Sequence, residues 1–496
     1  MRLSILLKEV YQLPDNADRD ISSLTLDSRS VGENGLFLAI KGSHLDGRQY
    51  IQNAISHGAQ AVLVDADSAN EPLAWQDNVP LIPIQHLQKK AGELAAHFYG
   101  NPAKKLRMIG ITGTSGKTSC SHFIAQSLQS LHIPCGIIGT LGSGFYGALG
   151  VAGLTTPDAI TLHSTLNQFV LQGAKAIAME VSSHSIDQGR ISGIEFDVGV
   201  FTNLTQDHLD YHGDMESYAA VKRRFLAEMS TKQVIINADD TYGSQWINEL
   251  SAQHVSVWAY CTRQSPSIPA DVPLVYCDHI ELSLQGIKAW VKSPWGAGEI
   301  FLPLIGQFNL SNCLGVLTAL CVTGVSFNDA ILCLSRLSAV SGRMQTLGGN
   351  GLPLVVVDYA HKPDALEKVL QALRAHSAGK LGCVFGCGGE RDRGKRPLMA
   401  KIAENIADKV IVTSDNPRHE KPEDIAAEIM NGFSHPEQVT IELDRSKAIQ
   451  NSIQWASVKD CVLIAGKGAE RYQQIGDDKI PFDDVEKVKE YLFWRK

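Results

Sequence analysis

The chain has no CxxC pair, no long apolar run and no excess of positive charge, and each absence excludes a class of protein. Its ten cysteines are scattered over 496 residues. Cys383 and Cys387, the nearest pair, flank a strand end and a glycine turn. Zinc sites and disulfide frameworks need tighter or more regular spacing, so the thiols read as buried and reduced. The opening stretch MRLSILLKEV has only a short apolar run before Lys8 and Glu9, and no later run approaches a membrane span. No membrane partner and a cytoplasmic location are expected. Net charge is −8 and the isoelectric point about 6.1, so no electrostatic footprint for nucleic acid is expected either. Negative small substrates must be met by local clusters of Arg and Lys.

What remains is an ordinary globular composition, with 44% hydrophobic and 20% charged residues. No low-complexity run and no repeat with a period of about 20–50 residues is visible. The chain is too long for one hydrophobic core, and its length suggests roughly three domains.

Residues 1–101 alternate short apolar strands such as GLFLAI and AQAVLV with a helix-like YIQNAISHG. The helical run LQKKAGELAAHFYG then leads to Asn101-Pro102, a boundary by its turn chemistry. From Leu106 the pattern becomes strand (LRMIGI), glycine turn (TGTSGKT) and helix (SCSHFIAQSLQSL). Further strands are AKAIAMEV, FDVGVF and KQVIIN. That alternation predicts an α/β fold with a mostly parallel sheet over 102–340. A third alternation fills 341–496, with strands LPLVVVD, KLGCVFG, KVIVTS and CVLIAG and helices PDALEKVLQALRAH and PEDIAAEIMNGF. Working residues collect at the carboxyl ends of such strands. There the loops read DYAHKPD, CGGERDRGKRP, DNPRHEKP and GKGAE, more polar than a connection requires.

The turn GITGTSGKTS, Gly110–Ser119, is a phosphate loop cut short. Walker-type loops leave four residues between the first glycine and Gly-Lys-[Ser/Thr], whereas Gly113 leaves two before Gly116. A helix start still offers backbone N–H groups to an anion, with Lys117 for phosphate oxygens and Thr118 for Mg²⁺. EVSSH ends one strand with Glu180, and DHLDYHG ends another with Asp207, His208, Asp210 and His212. With a phosphate loop these could build a Mg²⁺ site, although histidine is an uncommon ligand for so hard a cation. Lys222, in the helical ESYAAVKRRFL, reads from spacing alone as a solvated lysine. Asn309 and Asn312 of GQFNLSN fall at i, i+3 on a helix start, as a cap and a polar surface position would. Arg343 in SGRMQ sits at the junction of the second and third parts, where a surface arginine is the bland alternative.

In this order and at this spacing, GTSGKT, EVSSH, DHLDYHG, GQFN, SGRM and DYAHKPDAL resemble the Mur ligases, ATP-dependent amino-acid ligases of peptidoglycan synthesis. The resemblance covers essentially the whole chain, and that family uses the short loop. It implies three domains: an N-terminal UDP-binding α/β domain (1–101), a central P-loop ATPase (102–340) and a C-terminal Rossmann-like domain (341–496). LTLDSRSV, KGSHLDGRQYI and DNPR are similar to the branch adding meso-diaminopimelate to UDP-N-acetylmuramoyl-L-Ala-D-Glu. An L-lysine-adding relative and a folylpolyglutamate-synthase-like ligase are the alternatives, with a non-catalytic nucleotide-binding regulator as a rival of another class.

The resemblance also assigns residues. Leu26, Ser28, Ser43, His44 and Leu45 would hold the uridine diphosphate end. Leu154, Thr155, Thr156, Ser182, Gln188 and Arg190 would hold the muramyl dipeptide. Gly113, Thr114, Ser115, Gly116, Lys117, Thr118 and Ser119 form the ATP loop, with Asn309, Arg343 and Asp358 as further nucleotide contacts. Thr118, Glu180, His208 and Lys222 would serve Mg²⁺, Lys222 as a carbamate that turns a cation into an oxygen ligand. Arg391, Asp415, Asn416, Pro417, Arg418, Gly466 and Glu470 match the amino-acid pocket. The catalytic set is then Lys117, Glu180, His208, Lys222 and Arg343, in an enzyme expected to act as a monomer. Ser115, Gln345 and Ala469 depart from the family pattern, which usually has Asn, Glu and His there.

Overall fold

Runs such as GLFLA (Gly35–Ala39) and LVVVD (Leu354–Asp358) show no polar–apolar alternation, and every residue of both strands is buried. Strands covered by helices on both faces read this way, which is the condition of a parallel sheet. The computed structural model describes residues 1–42, 45–68, 71–151, 153–229, 231–263 and 268–495. Ser43 and His44 lie outside these.

The fold is α/β with mostly parallel sheets. A first sheet has the order Ser23–Thr25, Gly35–Ala39, Ala59–Ala66, Val79–Gln85, Ala74–Gln76, antiparallel only at the last pair. In the second, six parallel strands run in the order Val257–Cys261, Thr231–Asn237, Phe196–Phe201, Arg107–Thr112, Ala176–Glu180, Cys135–Gly139. Arg107–Thr112 lies centrally between strands that come later in the chain. Its carboxyl end is therefore a topological switch point, where such sheets bind ligands. A third sheet orders Gln345–Gly348, Leu354–Asp358, Cys461–Ala465, Leu381–Phe385, Lys409–Val412, Thr440–Ile441, all parallel but the first.

The helices follow their end signals. Asp158 caps Ala159–Leu171 by accepting from Ile160 and Thr161 N–H, and Asp214 caps Met215–Glu228 through Ser217 N–H. Proline opens both Pro363–His376 and Pro422–Met430. Antiparallel elements not legible as strands include the hairpin Gly142–Phe145 with Ala148–Leu149, the meander Leu274–Ser283, Gly286–Ser293, Gly296–Leu302, and the hairpin Tyr472–Ile475 with Asp478–Pro481. All ten cysteines are free and buried, as expected of reduced thiols. Among the described residues no helix is long and apolar enough to cross a membrane.

By density of internal contacts the chain divides into two compact units. One is built on Met1–Cys261 with Gly315–Ser326, the other on Val275–Leu314 with Phe327–Lys496.

Candidate active site

In the first unit the strand Arg107–Thr112 runs into the loop Gly113–Gly116, and the helix Lys117–Ser130 starts immediately after it. Gly113 has φ +147°, and a Cβ there would stand 1.9 Å from Thr202 Oγ1, so this position requires glycine. The neighbouring strand end braces the loop. Thr202 Oγ1 donates to Ser115 O (2.6 Å), and Ser115 N–H donates to Asn203 Oδ1 (3.0 Å). The Lys117 ammonium curls back to the carbonyls of Gly113 (2.7 Å) and Thr114 (3.0 Å).

The Glu180 carboxylate, 1% exposed, ends the adjacent strand beside this loop. It accepts from Thr118 Oγ1 (3.0 Å), Thr140 N–H (2.9 Å) and Thr140 Oγ1 (3.0 Å). The Lys222 side chain comes from the helix Met215–Glu228 and donates to Gly113 O at 3.1 Å. It is 1% exposed, so the solvated position suggested by spacing is corrected. A helical lysine at the edge of an apolar stripe can face either way, and packing on the loop turned it inward. Burial, with the Lys117 charge nearby, holds the amine well below the ordinary lysine range. His208 is less enclosed. Its ring lies 3.5 Å from an Asp207 oxygen and packs edge-on to His184, with centroids 4.9 Å apart.

Five of the residues expected to hold the muramyl dipeptide form one network. Thr155 Oγ1 lies 3.1 Å from Thr140 Oγ1, Thr156 Oγ1 donates to Glu180 O (2.8 Å), and Ser182 N–H donates to Thr156 Oγ1 (3.2 Å). Arg190 donates to Thr156 O (3.0 Å) and to Gln188 Oε1 through Nε and Nη2. Leu154 is 59% exposed nearby in the chain.

Leu26, Ser28 and Leu45 line a cavity of about 840 Å³. Thr161, Ser164, Thr165 and Gln168 line it too, from the helix Ala159–Leu171. These four were not singled out in the sequence. Their i, i+3, i+4, i+7 spacing, a polar stripe on one helical face, was the available signal.

In the second unit Asp358 ends the strand Leu354–Asp358, and burial pushes its carboxyl up. Its oxygens accept from Met344 N–H (2.7 Å) and Ala360 N–H (2.8 Å), which ties the SGRM segment to this strand end. The Arg343 guanidinium stacks 4.7 Å from the Tyr359 ring centroid, so it is held and not a loose surface arginine. Asn309 and Asn312 are both buried, and Asn309 Nδ2 donates to Ile305 O (2.8 Å). The polar surface position expected of Asn312 is thus corrected: that face of the helix is packed.

Asp415, Asn416, Pro417 and Arg418 follow the strand Lys409–Val412, and Gly466 and Glu470 follow Cys461–Ala465. Asn416 Nδ2 donates to Glu470 Oε2 (2.9 Å). Lys467, fully buried, donates to Asn416 Oδ1 (2.9 Å) and Glu470 Oε2 (3.1 Å). Arg418 has φ +52° and donates through Nη1 to Gly389 O (2.7 Å), while its backbone pairs with the hairpin segment near Ile475. Arg391 is exposed, donating to Glu390 O (3.2 Å).

Family models match three stretches: the Mur ligase family catalytic domain at 20–99, the Mur ligase middle domain at 111–320, and the Mur ligase glutamate ligase domain at 342–468. The chain belongs to the Mur ligase family. It is 48% identical over 477 residues to the UDP-N-acetylmuramoyl-L-alanyl-D-glutamate–2,6-diaminopimelate ligase of Coxiella burnetii, with 96% of each chain covered. The Pseudomonas aeruginosa enzyme of the same name is 47% identical over 483 residues, covering 97% of each. A solved structure of a ligase of that name matches at TM-score 0.71 and 36% identity, over 96% of this chain and 95% of that one. A Mycobacterium tuberculosis folylpolyglutamate synthase shares the fold over 76% of this chain (TM-score 0.61, 18% identity).

Lys467 of this Mur ligase is a further residue that sequence reasoning passed over. It stands in GKGAE between two singled-out positions, but nothing in the spacing says that its side chain turns inward. Among the described residues no three His, Cys, Asp or Glu side chains gather as a metal cluster.

Proposed function

We propose that the chain is the ATP-dependent ligase that adds meso-2,6-diaminopimelate to UDP-N-acetylmuramoyl-L-alanyl-D-glutamate in peptidoglycan precursor synthesis. One observation carries the chemistry. A short phosphate loop, a buried carboxylate (Glu180) and a buried amine (Lys222) meet at the switch point of one parallel sheet. Two anions must meet in the first step, when an oxygen of the D-glutamyl γ-carboxylate attacks the γ-phosphorus of ATP. An acyl phosphate forms and ADP leaves. The amine of diaminopimelate then attacks the acyl carbon, a tetrahedral intermediate collapses, inorganic phosphate departs and the nitrogen sheds a proton.

The protein's part is to hold and neutralise charge. Gly113–Ser119 cradle the phosphates, Lys117 leaves its carbonyl partners for phosphate oxygens, and Arg343, Asn309 and Asp358 hold the nucleotide. Thr118, Glu180, carbamylated Lys222 and His208 would hold Mg²⁺. The adjacent hydroxyl and carboxylate of Thr118 and Glu180, 3.0 Å apart, fit that hard ion. When bound, Mg²⁺ supplies charge neutralisation on the phosphate oxygens. The UDP end takes the cavity at Leu26, Ser28 and Leu45, with Ser43 and His44. The muramyl dipeptide takes Leu154, Thr155, Thr156, Ser182, Gln188 and Arg190. Arg391, Asp415, Asn416, Pro417, Arg418, Gly466 and Glu470 take the amino acid. The corresponding domains are 1–101, 102–340 and 341–496, in a cytoplasmic monomer.

The test is ADP release with ATP, UDP-N-acetylmuramoyl-L-alanyl-D-glutamate and a panel of diamino acids. Turnover that depends on meso-diaminopimelate supports the assignment. Turnover with a folate and glutamate, or ATP binding with no turnover, overturns it.

A further inference from the structure

In the second unit Arg396, on the helix Lys395–Ile406, is a fully buried arginine, 0% exposed. Its guanidinium grips Glu420 with two parallel bonds, Nη1 to Oε2 (3.0 Å) and Nη2 to Oε1 (3.1 Å), and Nη1 also meets Glu428 (2.7 Å). Glu420 lies two residues after Arg418 and reaches across to the glycine loop, where Oε1 accepts from Glu390 N–H (2.5 Å). Arg393 adds a second cation at 3.1 Å. The Arg396 fork, with these donors, holds the Glu420 carboxyl down at about 2.

The two loops joined here are built to touch. Gly389 N–H donates to Asn416 O (3.0 Å), and a Cβ at Gly389 would stand 1.9 Å from Pro417 O. Arg418 completes the seam by donating to Gly389 O. Arg418 and Glu390, the residues on either side of it, both hold positive φ, +52° in each case. For a residue with a Cβ that conformation is costly unless its surroundings over-determine it. A charge-assisted fork is the kind of contact that fixes direction, because two parallel bonds hold the planar guanidinium and the carboxylate coplanar.

We propose that Glu420, gripped by Arg396, is a positioning residue for the amino-acid site, fixing the loop geometry that aims Arg418 at the distal carboxylate of the incoming diamino acid. This rests on the reading of Arg418 as the residue that meets the amino acid. Glu420 touches no reacting atom and acts through its neighbour.

A double-mutant cycle of Glu420→Gln and Arg418→Ala tests this, with KM measured for meso-diaminopimelate, ATP and the UDP substrate. E420Q is expected to raise KM for meso-diaminopimelate about tenfold, a coupling usual for groups in one network, with the other two constants within about twofold. Added to R418A, it should raise KM no further. E428Q removes the other carboxylate partner of Arg396, and with it a contact to Arg393, but keeps the Glu390 N–H bond to Glu420, and should leave KM for the amino acid within about twofold. Should E420Q not fold, R396K, which keeps the buried charge but loses the fork, carries the same expectation. Additive effects in the double variant, equal losses for all three substrates, or an unchanged KM in E420Q would overturn the proposal. If R418A itself leaves KM for meso-diaminopimelate unchanged, the reading of Arg418 fails and the proposal falls with it.

Discussion

Lys222 and Lys117 donate to one carbonyl oxygen, that of Gly113, at 3.1 Å and 2.7 Å. Two ammonium groups on one acceptor repel each other, and the buried one yields. The Lys222 amine is held well below the lysine range by burial first and by Lys117 second. Carbon dioxide adds to a neutral amine, and the carbamate so formed replaces a cation by a pair of oxygens. Lys222→Ala is therefore expected to lose nearly all ligation, and small carboxylates such as formate or acetate should restore part of it. ADP release with and without the added acid measures this. Full activity in the alanine variant would remove the residue from the mechanism.

The cavity at Ser28 and Leu26 shares its lining with Thr161, Ser164 and Gln168. Its proposed occupant is the nucleotide end of the substrate, remote from bond formation. Binding energy there can be used to position the reacting carboxylate. Ser28→Ala and Gln168→Ala should raise KM for the UDP substrate and leave KM for ATP almost unchanged. An equal rise in both constants would contradict a separate UDP site.

Arg418 is proposed to decide between two amino acids that differ by one carboxylate. L-Lysine would leave the guanidinium with no carboxylate to meet, only its bond to Gly389 O, and sites built around a polar partner reject its absence by roughly 10⁴–10⁵-fold. The unmodified enzyme should thus strongly prefer meso-diaminopimelate, and R418A should lose most of that activity through a higher KM for the amino acid. Comparable kcat/KM for the two amino acids would sink the assignment.

Acid should loosen the loops around Arg418. The Glu420 carboxyl lies at about 2 when folded against an ordinary 4.5. A depressed carboxylate contributes stability that is fully present above about 4.5 and is lost as pH falls towards about 2. Thermal melts of E420Q and the parent across that window should converge at its acid end and separate above it. Parallel curves throughout would show that Glu420 carries no such linkage.

The strand–turn–helix at 107–130, the parallel strands and the polar loops at their carboxyl ends were legible in the sequence. Apolar runs, glycines and helix caps are local signals that fix local structure. The set Thr155, Thr156, Ser182, Gln188 and Arg190 came from the family resemblance and not from local signals, and it folds into one hydrogen-bonded network. The meander at 274–302 and the hairpin at 472–481 escaped, because their edge strands are half exposed and mix polar with apolar residues.

Only the tertiary structure decided which way the long polar side chains turn. Lys222 reads along the chain as a solvated cation, and nothing in the sequence marks Lys467 or Arg396, yet each is buried against carbonyls or carboxylates that lie far away in sequence or on another loop. A lysine or arginine stem is apolar enough to lie on either side of a helix or loop. Its direction is set by the cost of burying the charge against the partners waiting there. Those partners are brought within reach by the order of strands in a sheet, which no local pattern records.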